Sequence, residues 1–212
     1  MFVFRGVRRG GSLRFRRFPI WLSAVATAAL FSQPFVADSA PPRPTLDAFY
    51  KAIAAENYGD AKQLADALLP QVGPDDRQKI SLAYGRVLLG LKQTDAARQY
   101  LAAATAQNLN GDAPRVLKVY AAWLDALNGK VDAAIKALEG LLDREASGPS
   151  SAEAADVLAM LYDARGEKDK AKQAVDFGLA FLKYRELKTD YIETLLRGRL
   201  KSKINAGDDE KQ

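Results

Sequence analysis

The sequence predicts an all-α protein, an alpha-alpha superhelix of stacked helical pairs with about nine helices, the last of them capping the C-terminal end. Three observations predict it. A turn, an aspartate and a small-apolar helix recur at a fixed interval, with "NGKVDAAIKALEGLL" beginning at Asn128 and "RGEKDKAKQAVDFGL" at Arg165. Within these stretches apolar residues fall three or four apart, the period of a helix face rather than the alternation of a strand. The interruptions are rich in Pro, Gly, Asn and Ser, the residues that end helices.

Residues 1–39 read as a segment that directs export. Arg5, Arg8, Arg9, Arg14, Arg16 and Arg17 precede the apolar run "IWLSAVATAALF" from Ile20 to Phe31, and no acidic residue occurs before Asp38. That is the layout of a secretory signal peptide, with the small residues Ala37 and Ser39 near its end. The run is shorter than the roughly 20 residues a spanning helix needs, and Gln33 and Pro34 interrupt it, so cleavage is expected ahead of retention as an uncleaved anchor. An arginine-rich, acid-free leader also fits a mitochondrial presequence, and the arginine pairs share part of the twin-arginine export pattern. The expected location is the periplasm or another secreted compartment, with membrane attachment only if the segment is retained.

The chain carries 31 Lys and Arg against 26 Asp and Glu. Cleavage would remove six of the basic residues and one acidic residue, leaving 25 of each sign. A neutral domain without a basic stripe has few counterions to release from a polyanion, so nucleic acid is not an expected partner.

Residues 40–44, with "PPRP" from Pro41, read as an extended linker, and 45–204 as the helical domain. Its frame is set by a small residue after each turn: Ala61 in "NYGDAKQLADALL", Ala97 in "QTDAARQYLAAA", Ala134 and Ala171, at steps of 36, 37 and 37. Each unit reads as two amphipathic helices. In the second unit "ISLAYGRVLLGL" is the first helix, Lys92 to Thr94 the turn and "DAARQYLAAATA" the second helix. Gly129 and Gly166 stand where a helix stops in the left-handed region, and Asp60, Asp95, Asp132 and Asp169 fall in the first turn of the following helix, where its dipole favours them. The units are separated at Pro70–Asp76, Asn108–Arg115 and Ser147–Ser151. After the fourth unit "TDYIETLLRGRLKSKI" is a capping helix: Asp190 and Glu193 form a capping-box-like pair, Ile192, Leu195 and Leu196 an inner stripe, and Arg197, Arg199, Lys201 and Lys203 are expected to face water. Lys183 to Lys203 holds seven cations against three acidic residues, read as a charged exterior ahead of a contact with an anionic surface. Residues 205–212 read as a disordered tail.

On these residues the chain resembles the tetratricopeptide repeat family, over about Thr45 to Ala180. The fourth unit carries the likeness with Leu158-Ala159, Tyr162, Gly166, Ala171 and Gly178, and the second with Tyr84-Gly85, Leu88, Ala97 and Ala104. The repeat is longer than that family's usual length of about 34 residues, so related helical-pair repeats fit as well. The resemblance implies a right-handed arc in which the first helix of each pair lines a concave groove. It places Tyr50, Arg86, Trp123 and Met160 at one groove-facing position in the four units, flanked by Lys79, Leu82, Val119, Asp156 and Asp163. Such residues suit a protein or peptide partner. Two other placements compete: Trp123 also suits the core of the superhelix, and Arg86 a solvated face.

Catalysis is not expected. The chain has no histidine and no cysteine, which removes the commonest general base, the thiolate nucleophile and two of the commonest transition-metal ligands. It also lacks a P-loop, a dinucleotide glycine pattern and a serine nucleophile elbow. The adjacent carboxylates Asp75-Asp76 and Asp208 to Glu210 fit a helix start and a solvated tail. No cofactor or metal is expected. The sequence therefore points to an exported, non-catalytic scaffold or adaptor, or, if the leader is retained, to a membrane-tethered assembly factor of the cell envelope.

Overall fold

The computed structural model describes residues 44–107, 109–189 and 191–209, with side chains as far as Lys201. The leader, most of the linker, Asp190, Lys203 as a side chain and residues 210–212 lie outside the described residues. Four helical pairs follow one another: α1 (Leu46–Ala54) with α2 (Tyr58–Leu68), α3 (Pro74–Gly90) with α4 (Thr94–Thr105), α5 (Ala113–Leu127) with α6 (Val131–Glu139), and α7 (Ser150–Ala164) with α8 (Lys168–Tyr184). A ninth helix among the described residues, α9 (Ile192–Asp209), ends the stack and runs past the expected domain boundary at 204.

Each pair turns by the same device. The amide of the residue that opens the second helix donates back five positions, Asn57 to Ala52 O (2.9 Å), Gln93 to Leu88 O (3.0 Å), Lys130 to Asp125 O (2.9 Å) and Glu167 to Tyr162 O (2.9 Å). This satisfies carbonyls that a helix end otherwise orphans, and it needs a left-handed residue just before. Gly129 (φ 87°) and Gly166 (φ 74°) fill that place without strain, whereas Glu56 (φ 55°) and Lys92 (φ 56°) fill it in the first two pairs. A side chain there costs about 1–2 kcal/mol, so packing of the two helices enforces those turns. The four aspartates lie in the first turns of α2, α4, α6 and α8, as their positions predict.

The framing alanines sit where helices cross. Ala61, Ala97, Ala134 and Ala171 are essentially without exposure, and a larger side chain there would hold apart axes that pack at about 8–10 Å. Gly178 of α8 serves the same purpose more strictly: a Cβ would come within 2.8 Å of Leu196 and 3.1 Å of Ala155. The α6–α7 connection is tied across units by Asp112, whose carboxylate accepts from the Ser150 amide and hydroxyl at 2.7 Å each and so caps α7 rather than its own helix.

Two apolar clusters result, one through the first pair and α3, the other from α3 to α9. They meet at the last helix. α9 packs on α7 and α8 as the next first helix of the series would, and it also touches α1. Leu195 joins the cluster of the first pair, while Ile192 and Leu196 join the other. All three are buried, worth about 1.5–3 kcal/mol apiece. The superhelix therefore turns tightly enough for its end to reach its beginning. Among the described residues no helix is long and apolar enough to cross a membrane.

Candidate partner-binding face

The first helices of the pairs bring Arg86 of α3, Tyr120 and Trp123 of α5, and Glu153 and Asp156 of α7 to the inside of the stack. Arg86 has no exposure at all, nor has Asp156, and Glu153 has 1%. Arg86 spreads its guanidinium between the two carboxylates, donating through one terminal nitrogen to Glu153 Oε2 at 2.5 Å and through the other to Asp156 Oδ2. Tyr120 donates to Glu153 Oε1 at 3.0 Å. Aromatic rings flank the guanidinium, whose carbon lies 5.4 Å from the centre of the Trp123 ring and 5.8 Å from that of Tyr191, close enough for a cation–π contribution.

The C-terminal segment completes the cluster. Tyr191, just before α9, donates to Glu153 Oε1 at 2.5 Å and stacks on Tyr50 of α1 with ring centres 5.8 Å apart. Arg199 of α9 donates through Nε to Asp156 Oδ1 and through Nη2 to Asp156 Oδ2 (3.3 Å) and to Glu56 Oε1 (2.8 Å). Two buried or nearly buried arginines thus face two buried carboxylates, and each charge has a partner, the condition under which ions tolerate burial.

The electrostatics follow from this pairing. Burial would raise the Asp156 carboxyl, but Arg86 and Arg199 outweigh it and hold the group below the usual aspartate range. Burial pushes the phenols of Tyr120 and Tyr191 well above the ordinary tyrosine value, and Glu153 adds to it. Both phenols therefore stay protonated and continue to donate to Glu153 across the physiological range. Arg86 Nε and Tyr58 Oη make no hydrogen bond among the described residues.

Of the residues expected on one face, Arg86, Trp123 and Asp156 come together, closed off from solvent rather than open. Tyr50, Val119, Trp123, Arg86 and Asp156 are buried, Met160 is half-buried, and Lys79 and Asp163 are exposed. Lys79 lies 3.5 Å from Asp76 on its own helix. Leu82 lines a different place, a cleft of about 360 Å³ between α3 and α4 that it shares with Tyr100 and Leu109. Arg86 is neither on a solvated face nor exposed to a partner. Its position is corrected to an internal ion pair, because Glu153 and Asp156 are buried together and it is the cation that spans both. Arg199, expected in water, is only 17% exposed and turns inward to Asp156; Arg197 does face water and pairs with Glu193 at 2.7 Å.

Glu153, Tyr120, Tyr191 and Arg199 are not singled out as site residues by the sequence. For Glu153 and Asp156 the sequence signal misleads: Ser150, Glu153 and Asp156 recur three apart and form one polar face of α7 that reads as solvated, whereas every residue from Ser150 to Ala159 is buried. Among the described residues no group of three or more Asp, Glu, His or Cys side chains could hold a metal ion. Compared with models of protein families, with curated proteins and with solved structures, the chain finds no match.

Proposed function

We propose that this protein is an exported, non-catalytic scaffold or adaptor of the tetratricopeptide-repeat kind, which binds a protein or peptide partner on the inside of its helical stack. One observation carries the reading: the stack offers a seat for a helix along α8, α7 and α1, and α9 lies there, seated by Ile192, Leu195 and Leu196 and pinned by Arg199 on Asp156 at the edge of the inner cluster. Apolar residues around a specific charged pair are the arrangement by which helix-binding grooves gain affinity and register together. The charges inside are matched and shielded by aromatic rings, an arrangement suited to recognition rather than to proton transfer with a substrate.

Site-specific photo-crosslinking in the native cells tests this. A crosslinker at Met160, on the rim of the inner face, should trap a discrete protein, and one at Lys136, exposed on α6, should not. Equal labelling from both positions, or none from Met160, would overturn the proposal. Fractionation tests the export part: a soluble mature species beginning near Ala40 supports a free scaffold, and a full-length membrane-bound species supports a tethered one.

A further inference from the structure

We infer that α9 is a displaceable stand-in for the partner, and that its seat along α8, α7 and α1 accepts in its place an amphipathic helix bearing an apolar stripe with one arginine in register. The inference rests on the scaffold reading and specifies its ligand.

Two glycines point to a helix that is fitted to its seat but weak in itself. Gly178, on the receiving side, is demanded by contact, since a Cβ there would strike Leu196. Gly198, within α9, is demanded by nothing: a Cβ would meet no atom within 4 Å among the described residues. A glycine in an exposed helix interior only weakens the helix. The helicity of α9 depends on the face it covers, which places it among the elements that open first.

The seat also states what must replace it. When α9 leaves, Arg199 leaves Asp156 and Tyr191 leaves Glu153, while Arg86 stays between the two carboxylates. One cation then faces two buried anions. An incoming helix that brings only apolar groups would bury an uncompensated charge, and one that brings an arginine four positions after a leucine, as Leu195 precedes Arg199, would restore the balance.

The test uses the full chain and a labelled peptide of residues 189–209, whose binding is measured by fluorescence anisotropy. Gly198→Ala in the protein should strengthen the resident helix and weaken peptide binding about fivefold, the effect of a mid-helix glycine. Leu195→Ala/Leu196→Ala in the protein, which alters α9 and not its seat, should tighten binding at least about tenfold. A peptide carrying Arg199→Ala should bind at least about tenfold less well to that opened variant. In the unaltered protein, amide exchange should be at least about tenfold faster in α9 than in α7. Equal peptide affinities across the variants, exchange in α9 as slow as in α7, or global unfolding of the double-alanine variant would each overturn the inference, the last because α9 would then be core rather than occupant. If the peptide ranks as stated but Met160 traps no partner in cells, the scaffold reading fails and only the displaceability of α9 remains. A trapped partner with a flat peptide series leaves the scaffold standing and removes the stand-in.

Discussion

Replacing Arg86 with methionine removes the charge and keeps much of the volume. Three consequences can be worked from the contacts. Glu153 loses a 2.5 Å charge-assisted bond and keeps only the two phenols of Tyr120 and Tyr191; Asp156 keeps Arg199; the net charge of a wholly buried cluster becomes negative. Stranding a buried charge in this way costs about 3–5 kcal/mol. At roughly 2–4 °C per kcal/mol for a domain of this size, the melting midpoint should fall by at least about 6 °C. Adding Glu153→Gln removes the stranded charge while leaving the Asp156–Arg199 pair, so Arg86→Met/Glu153→Gln should regain more than half of the loss. The assay is thermal and urea unfolding of the single and double variants, each at low and high salt. Because Arg86 is fully buried, salt should leave the difference nearly unchanged, unlike a surface pair. A single variant within about 1 kcal/mol of the parent, or a double variant no better than the single, would refute the reasoning.

Trp123→Ala should lower stability by roughly 3–5 kcal/mol, because Trp123 is 6% exposed and covers Arg86; a small change in urea midpoint would contradict its place in the interior. Ala134→Leu should cost about 1–3 kcal/mol by forcing α5 and α6 apart, and an unchanged melting midpoint would argue against the repeat frame. Lys92→Gly should stabilise by up to about 1 kcal/mol, since Lys92 is exposed and its φ of 56° costs a side chain but not a glycine; a loss of stability would show that its turn is not limited by backbone strain. Asp156 is held below its ordinary value near 3.8, so its contribution is complete above that pH and is lost as the pH falls through the lowered value. Acid unfolding should therefore steepen below about pH 4, and Asp156→Asn should show a shallower acid limb in melts taken from about pH 2 to 6.

The helical frame was legible because its signals are local. The steps from Ala61 to Ala171 are also the steps of the turn bonds, which open the second helices at Asn57, Gln93, Lys130 and Glu167. Glu56 and Lys92 show the limit of that legibility: they take the place of Gly129 and Gly166 without resembling them, because the helices on either side set the backbone there. The course of α9 was not legible. "RGRLKSK" alternates charge and small or apolar residues in a manner that suits an exterior, and nothing in a repeat length of 36 or 37 states how tightly the superhelix turns. Whether the last helix meets the first is decided by the sum of small rotations between pairs. The burial of the carboxylates was not legible either, since Glu153 and Asp156 share a polar face of α7 with Ser150, and their partners stand 67 to 70 residues away at Arg86 and 43 away at Arg199, distances over which one sequence carries no pairing information.

The internal ion cluster changes what kind of object this repeat stack is. In an ordinary solenoid each unit touches only its neighbours, so stability adds along the chain and the ends fray independently. Here Arg86 of the second pair is bonded to Glu153 and Asp156 of the fourth, skipping the third, while Trp123 and Tyr120 of the third pair enclose it. Separating the second pair from the fourth would strand Arg86 and its two carboxylates against the rings of the third, so the three pairs are expected to unfold together. That linkage does not require α9: Arg86 remains bound to both carboxylates when Arg199 and Tyr191 withdraw. The device that makes the stack cooperative is therefore separable from the helix that fills it. If α9 is displaced as proposed, the ion cluster that ties the pairs together stays in place.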